Sequence, residues 1–118
     1  MFRQVLYAKI HRATVTDARI DYEGSVTIDA KLLEAADMLA GEKVLIVNLN
    51  NGARLESYTM RGEPDSGTIC LNGGAAKYGQ KGDLLIIMTF AAMTDEEIKR
   101  HKAKVILVNN RNQIVTKP

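Results

Sequence analysis

A single cysteine, Cys70, stands in the 118 residues of this chain, which excludes an internal disulfide and fits a reducing, cytoplasmic setting. In Gly67-Thr68-Ile69-Cys70-Leu71 it reads as a small hydrophobe in a strand. Histidine is nearly as scarce: His11 and His101 lie far apart with no cysteine partner, so a zinc site has no support and no metal is expected. No apolar run reaches the roughly eighteen residues that a membrane span needs, and no signal-peptide pattern is present, so neither membrane insertion nor secretion is expected. Charge of one sign is also lacking. Sixteen basic residues are interspersed among 14 acidic ones, and a net +2 gives no basic stripe for nucleic acid or for an acidic membrane. The Gly-x-Ser-x-Gly elbow is missing too, which argues against a serine hydrolase built on Ser25.

What remains is an ordinary globular composition, 46% hydrophobic and 25% charged, long enough for one domain over residues 1–118 with one modest core. Phe2 to Val15 alternates imperfectly and is rich in β-branched residues, so it is expected as a strand. Asp17 to Tyr22 reads as a turn with a short strand, and Val26 to Ile28 as another strand. Asp29 is placed to cap a helix over Ala30 to Met38, with Gly41 ending it. Val44 to Leu49 is almost continuously apolar, the mark of a strand buried on both faces. Asn50-Asn51-Gly52 predicts a tight hairpin with positive φ at its centre. On the return strand, Ala53 to Met60, Arg54, Glu56 and Tyr58 share one face. Thr68 to Leu71 and Leu84 to Phe90 are expected strands, and Gly73 to Tyr78 a helical turn. Thr94-Asp95-Glu96-Glu97 carries a capping box for a short helix, with strands at Val105 to Val108 and Gln113 to Val115 after it. Gly41-Glu42-Lys43-Val44-Leu45 and Gly82-Asp83-Leu84-Leu85 echo one another, which suggests two copies of one β unit.

The stretch with unusual chemistry is Tyr22-Glu23-Gly24-Ser25. The Ser25 hydroxyl follows the Gly24 carbonyl by one residue and can attack it through a five-membered ring, moving the acyl group from nitrogen to oxygen. A planar trans amide resists this unless the fold assists. Gly24 leaves its carbonyl unshielded and is free to adopt unusual backbone angles.

Together with Lys9 and His11, Asn51-Gly52-Ala53-Arg54, Ser57-Tyr58 and Leu71-Asn72-Gly73-Gly74-Ala75-Ala76, this stretch resembles, in order and spacing, the aspartate 1-decarboxylase family from Met1 to about Ile98. The resemblance implies a mainly β fold, a six-stranded double-psi β-barrel with short helices. It implies self-cleavage into a β chain, 1–24, and an α chain, 25–118, with Ser25 converted to a pyruvoyl group, the only cofactor. That group would act as the electron sink in turning L-aspartate into β-alanine and CO2 for pantothenate synthesis. The roles implied are a hydroxyl donor at Ser57, where the family has threonine, a proton donor at Tyr58, and a substrate-lining backbone at Asn72, Gly73, Gly74 and Ala75. Gly74 replaces a common alanine, which would loosen the loop. His11 and Tyr22 match supporting positions. Arg54 suits the aspartate side-chain carboxylate, since gripping the departing one would stabilise the ground state, and Lys9 adds charge nearby. A homotetramer with active sites between subunits is implied, as is a maturation helper protein in some members, with a variable tail ending Thr116-Lys117-Pro118. The competing expectations are a non-catalytic small β-barrel binding module, and a barrel that carries these residues but never matures.

Overall fold

The structure is a computed structural model that describes residues 1–115, so the end of the tail, 116–118, lies outside the described residues. The chain is mainly β, with strands β1 (Phe2–Thr14), β2 (Asp17–Arg19), β3 (Ser25–Asp29), β4 (Lys43–Asn48), β5 (Arg54–Gly62), β6 (Ile69–Asn72), β7 (Leu84–Thr94) and β8 (Lys104–Leu107). Two short helices, α1 (Ala30–Ala36) and α2 (Asp95–Arg100), and a 3₁₀ turn at Gly73–Lys77 complete it. All eight strands join one sheet in the order β2-β6-β3-β5-β4-β7-β1-β8. Among the described residues no ladder joins β2 to β8. The structure therefore differs from the expected six closed strands by having eight in an open order. The additions to the expected count are short pieces at the two ends, β2 and β8, which follow the curl of longer neighbours through parallel pairing with β6 and β1.

The curl itself has a covalent cause. β1 and β2 sit near opposite ends of the strand order, yet only Val15 and Thr16 separate them in the chain. Three residue steps span roughly 10 Å at most, so the sheet must bend until its ends approach. Backbone bonds hold the corner: Val15 N donates to Asp83 O at 2.8 Å and Thr16 N to Ile69 O at 2.8 Å. The echo in the sequence has a matching backbone motif. Gly41 N donates to Thr59 O and Thr59 N to Glu42 O, at 2.8 and 3.0 Å; Gly82 N donates to Val15 O and Val15 N to Asp83 O, at 2.9 and 2.8 Å. The two units meet where β4 pairs antiparallel with β7.

Inside the curl, Ile10, Val26, Ile28, Val44, Ile46, Ile69, Leu71, Leu85 and Ile87 are buried, with Leu32 and Leu33 of α1 covering them. The core is aliphatic because β-branched side chains fill a pleated interior, each fully buried one contributing about 1.5–3 kcal/mol. β4 alternates buried and half-buried residues rather than burying both faces. Its apolar second face, with Leu45 and Val47, is instead left on the outside of the sheet.

Several ends differ from expectation for local reasons. α1 stops at Ala36 because Asp37 turns left-handed, φ 55°, and Met38 N bonds back to Leu33 O at 2.9 Å; Gly41 serves the following turn. In the hairpin only Gly52 has positive φ, because Asn48 Oδ1 accepts from Asn50 N and Asn51 N and widens the turn. Residues 113–115 contribute a single bridge, Val108 to Ile114, rather than a strand. The capping box at Thr94 and Glu97 is complete.

Asp29 does cap α1, accepting from Lys31 N at 2.9 Å, and it does more. Buried at the end of β3, its carboxylate also accepts from Asp65 N and Gly67 N, at 3.0 and 2.8 Å, pinning the loop that delivers β6. Asp29→Ala is expected to lower unfolding stability by about 2–4 kcal/mol in urea titrations, since three backbone donors lose a charged acceptor.

Candidate active site

The site begins with a register. β3 and β6 pair antiparallel with Ser25 opposite Asn72 and Thr27 opposite Cys70, so four small polar side chains meet where β3 starts. Ser25 is 2% exposed and Asn72 4%. Asn72 Nδ2 donates to Ser25 Oγ at 3.0 Å and to Thr27 Oγ1 at 2.9 Å, and Ser25 Oγ–H donates to Glu23 O at 3.2 Å. Asn72 precedes the 3₁₀ turn but makes no capping bond with its side chain. Its side chain is spent on the serine.

Gly73 decides how closely the next segment approaches. With φ +60° it is left-handed, and a Cβ there would lie 2.6 Å from Gly24 N and from Tyr22 O, and 2.7 Å from Gly24 Cα. Gly24 itself keeps negative φ, and a Cβ on it would meet nothing closer than 4.0 Å. The backbone freedom expected at Gly24 is thus exercised by Gly73, which lets two backbones touch. A Cβ on Gly74 meets nothing within 4 Å, so an alanine fits there without displacing any neighbour.

Gly24 opens onto a cleft of about 550 Å³ lined also by Arg54, Ser57, Tyr58, Gly74 and Ala75. Leu55, Glu56, Lys77 and Tyr78 complete its wall. Alternation along β5 aims Arg54, Glu56 and Tyr58 outward as expected, and leaves Ser57 half-buried between them. Glu56 bonds Lys43 across the strand pair at 3.3 Å, whereas Arg54 has no carboxylate partner among the described residues. The cleft therefore offers an uncommitted guanidinium, a phenol and a hydroxyl beside the Gly24 peptide. A second cleft of about 560 Å³, near Asn50, Gln80 and Asp83, is occupied with its own bonding: Asp83 Oδ2 accepts from Asn48 Nδ2 and Gln80 N.

Three expected residues lie elsewhere. Tyr22 is exposed and held by Arg19, whose Nη1 donates to its hydroxyl at 2.6 Å while the guanidinium sits 5.0 Å over the ring. Lys9 and His11 are on β1, three strands from β5, or roughly 14 Å across the sheet. In register, Lys9 aligns with Met88 and Val105, and His11 with Ile86 and Leu107. Burial first, then the Lys9 and Arg12 charges, push the His11 imidazole below its ordinary pKa, and its buried Nδ1 has no hydrogen-bond partner. Sequence reasoning missed Cys70, Thr27, Lys77 and Tyr78. For the first two the available signal was period 2 in the strands, which puts Cys70 with Asn72 and Thr27 with Ser25 on the same face.

The arrangement is that of a small β-protein enzyme in which a buried serine peptide borders a cleft carrying a guanidinium, a phenol and a hydroxyl. The chain matches the family model described as aspartate decarboxylase over residues 1–115, and it belongs to that family. It is 56% identical to an aspartate 1-decarboxylase of Listeria monocytogenes serovar 1/2a over 114 residues, 97% of this chain and 90% of that protein. The same identity over 114 residues, with the same coverage, relates it to an aspartate 1-decarboxylase of Bacillus licheniformis. A third relative, an aspartate 1-decarboxylase of Ruminiclostridium cellulolyticum, is 56% identical over 113 residues, 96% of this chain and 88% of that protein.

Gly73→Ala is expected to destabilise the fold by about 1–3 kcal/mol, from left-handed strain and from contact with the Gly24 backbone. Gly74→Ala is expected to stay within about 0.5 kcal/mol of the parent. Paired urea unfolding curves read both.

Proposed function

We propose that this protein decarboxylates L-aspartate to β-alanine and CO2, feeding pantothenate synthesis, after cutting its own chain between Gly24 and Ser25. The observation that carries this reading is the Ser25 hydroxyl, buried against the Asn72 amide, with its Gly24 peptide opening onto the cleft that holds Arg54 and Tyr58.

In the cut, Ser25 Oγ bonds to the Gly24 carbonyl carbon while the carbon–nitrogen bond breaks, and the hydroxyl proton ends on the Ser25 nitrogen. The Ser57 hydroxyl donates to the oxyanion, a contribution of about 3–4 kcal/mol in comparable acyl transfers. Lacking threonine's methyl group, Ser57 holds that hydroxyl less firmly, which slows the step. Loss of the Ser25 α-proton then expels the Gly24 carboxylate, and water releases ammonia, leaving residues 1–24 and a pyruvoyl-headed 25–118. The donor amide of Asn72 and the close Gly73 backbone fit such a group at this position. It supplies an electron sink for the electrons of the broken carbon–carboxylate bond, as pyridoxal phosphate does elsewhere.

Arg54 takes the side-chain carboxylate of aspartate in a bidentate grip, which orients the substrate and selects it over neutral amino acids. Tyr58, whose phenol O–H is a donor on the wall of the cleft, delivers the proton to Cα. The Asn72–Ala75 backbone lines the pocket.

The same reading includes a homotetramer. The outer faces of β4 and β7 present Leu45, Val47, Ile86 and Met88 as an apolar strip between Arg54 and Glu56 on β5 and His11 and Lys9 on β1. A second copy laid on this strip brings its Lys9 and His11 to the cleft, which one chain alone leaves without them. We place the curled sheet with the double-psi barrels, on the strength of the repeated Gly41 and Gly82 corners. A cytoplasmic location fits the free thiol of Cys70.

Intact mass under denaturing conditions tests the core of this. The parent is expected to lose its 13.0 kDa species in favour of two fragments split after Gly24, while Ser25→Ala stays whole and makes no β-alanine. In processed protein, Arg54→Ala should lower kcat/KM for aspartate by about 100-fold or more, and Tyr58→Phe should act mainly on kcat. A parent chain that stays whole through warming and through incubation with cell extract, which supplies any helper protein, overturns the reading in favour of a non-catalytic binding module.

A further inference from the structure

The hydrogen bonds around Ser25 extend one residue beyond the reacting groups. Asn72 is 4% exposed, and its side-chain oxygen faces the thiol of Cys70, with Sγ 3.2 Å from Oδ1. Cys70 is itself 8% exposed. No mechanism described so far uses it.

The geometry points to Cys70 as a positioning residue for self-cleavage, its S–H donating to Asn72 Oδ1 so that the amide nitrogen faces Ser25. This rests on the self-cleavage reading above. The physical reason lies in what each partner can offer. The hydroxyls of Ser25 and Thr27 both donate and accept, so they are satisfied by either end of the Asn72 amide. They leave its orientation undecided. A thiol is a donor with a poor acceptor sulfur, so it favours the amide oxygen over the amide NH2. Burial, and then the Asp17 carboxylate, push the Cys70 thiol up, which keeps it a donor at neutral pH.

Orientation matters for the chemistry. With nitrogen toward Ser25, the amide donates to Oγ at 3.0 Å and the serine proton is left to point at Glu23 O. As Oγ closes on the Gly24 carbonyl carbon and begins to lose its proton, a donor already in place stabilises the charge gathering there. In the reverse orientation Oδ1 would face Oγ and accept its proton as a neutral hydrogen bond, leaving no donor for that charge. Thr27 occupies the second N–H at 2.9 Å and keeps the amide plane on the serine.

The test compares uncleaved parent with Cys70→Ser, whose hydroxyl can donate to Oδ1 but can also accept from the amide and so specifies it less firmly, and Cys70→Val, which keeps the bulk without a donor. Loss of the 13.0 kDa species over time is expected to match the parent within about twofold for Cys70→Ser and to slow about fivefold for Cys70→Val, the effect of one hydrogen bond. Thermal midpoints of the uncleaved forms separate this from simple unfolding. In a Ser25→Ala background, which cannot cleave, the Asn72 side-chain N–H protons should show NMR contacts to the Thr27 side chain with Cys70, weaker ones with Cys70→Ser, and the weakest with Cys70→Val. Equal cleavage of all three chains, or Cys70→Ser as slow as Cys70→Val, overturns the role of the thiol while leaving self-cleavage standing. A parent that never cleaves removes the self-cleavage reading and with it this role, whereas amide contacts unchanged by Cys70→Val refute the orienting bond by themselves.

Discussion

The antiparallel register of β3 on β6 is the constraint from which the site follows. It sets Asn72 opposite Ser25 and Cys70 opposite Thr27, and it brings the left-handed Gly73 onto the backbone of Gly24. A slip of one residue would turn each of these side chains to the opposite face of the sheet. The register is held by apolar burial, since Val26, Ile28, Ile69 and Leu71 in the same ladder are all core residues. Asp29 pins the far end of β3 to the loop preceding β6. Packing and polar positioning are thus one arrangement, and the aliphatic core sets the Gly24–Ser25 peptide as firmly as the hydrogen bonds do.

Charge completes what the register begins. Glu56, the one carboxylate lining the cleft among the described residues, is already engaged with Lys43. Arg54 has no carboxylate among the described residues, and in a cleft of this shape an uncommitted guanidinium is suited to a carboxylate from outside the chain. Arg19 draws Tyr22 away from the serine, so the segment leading into Gly24 is fixed from the solvent side while the peptide is fixed from within. The other two cationic or titratable candidates, Lys9 and His11, sit across an apolar strip of β4 and β7. All of these side chains lie on the outer face of the sheet rather than in its interior.

Much of this was legible in the residues. The strand and helix elements were readable from period and capping signals, and the alternation that turns Arg54, Glu56 and Tyr58 to one face was readable from the hairpin that precedes them. The motifs carrying Gly24, Ser25, Arg54, Ser57, Tyr58 and Asn72 were readable in order and spacing. Details that depend on competition between local bonds were not. Asp37 ends α1 before Gly41 because its left-handed backbone lets the next amide reach Leu33 O. Asn48 reshapes the hairpin because its side chain reaches two amides that a tight turn would leave unbonded.

By itself the sequence determined the family, the mainly β character and the candidate site residues, because these depend on local pattern and on motifs that survive as linear order. Only the tertiary structure decided which of those residues meet. It put Gly73 rather than Gly24 in the left-handed conformation, gave Asn72 to Ser25 instead of to the 3₁₀ turn, added Cys70 behind it, and set Lys9 and His11 three strands away from Arg54 on the same outer face. The reason is physical: spacing along a chain specifies which face a side chain takes on its own strand, whereas its neighbours are specified by strand order and register. Those are fixed by burial of the whole core at once.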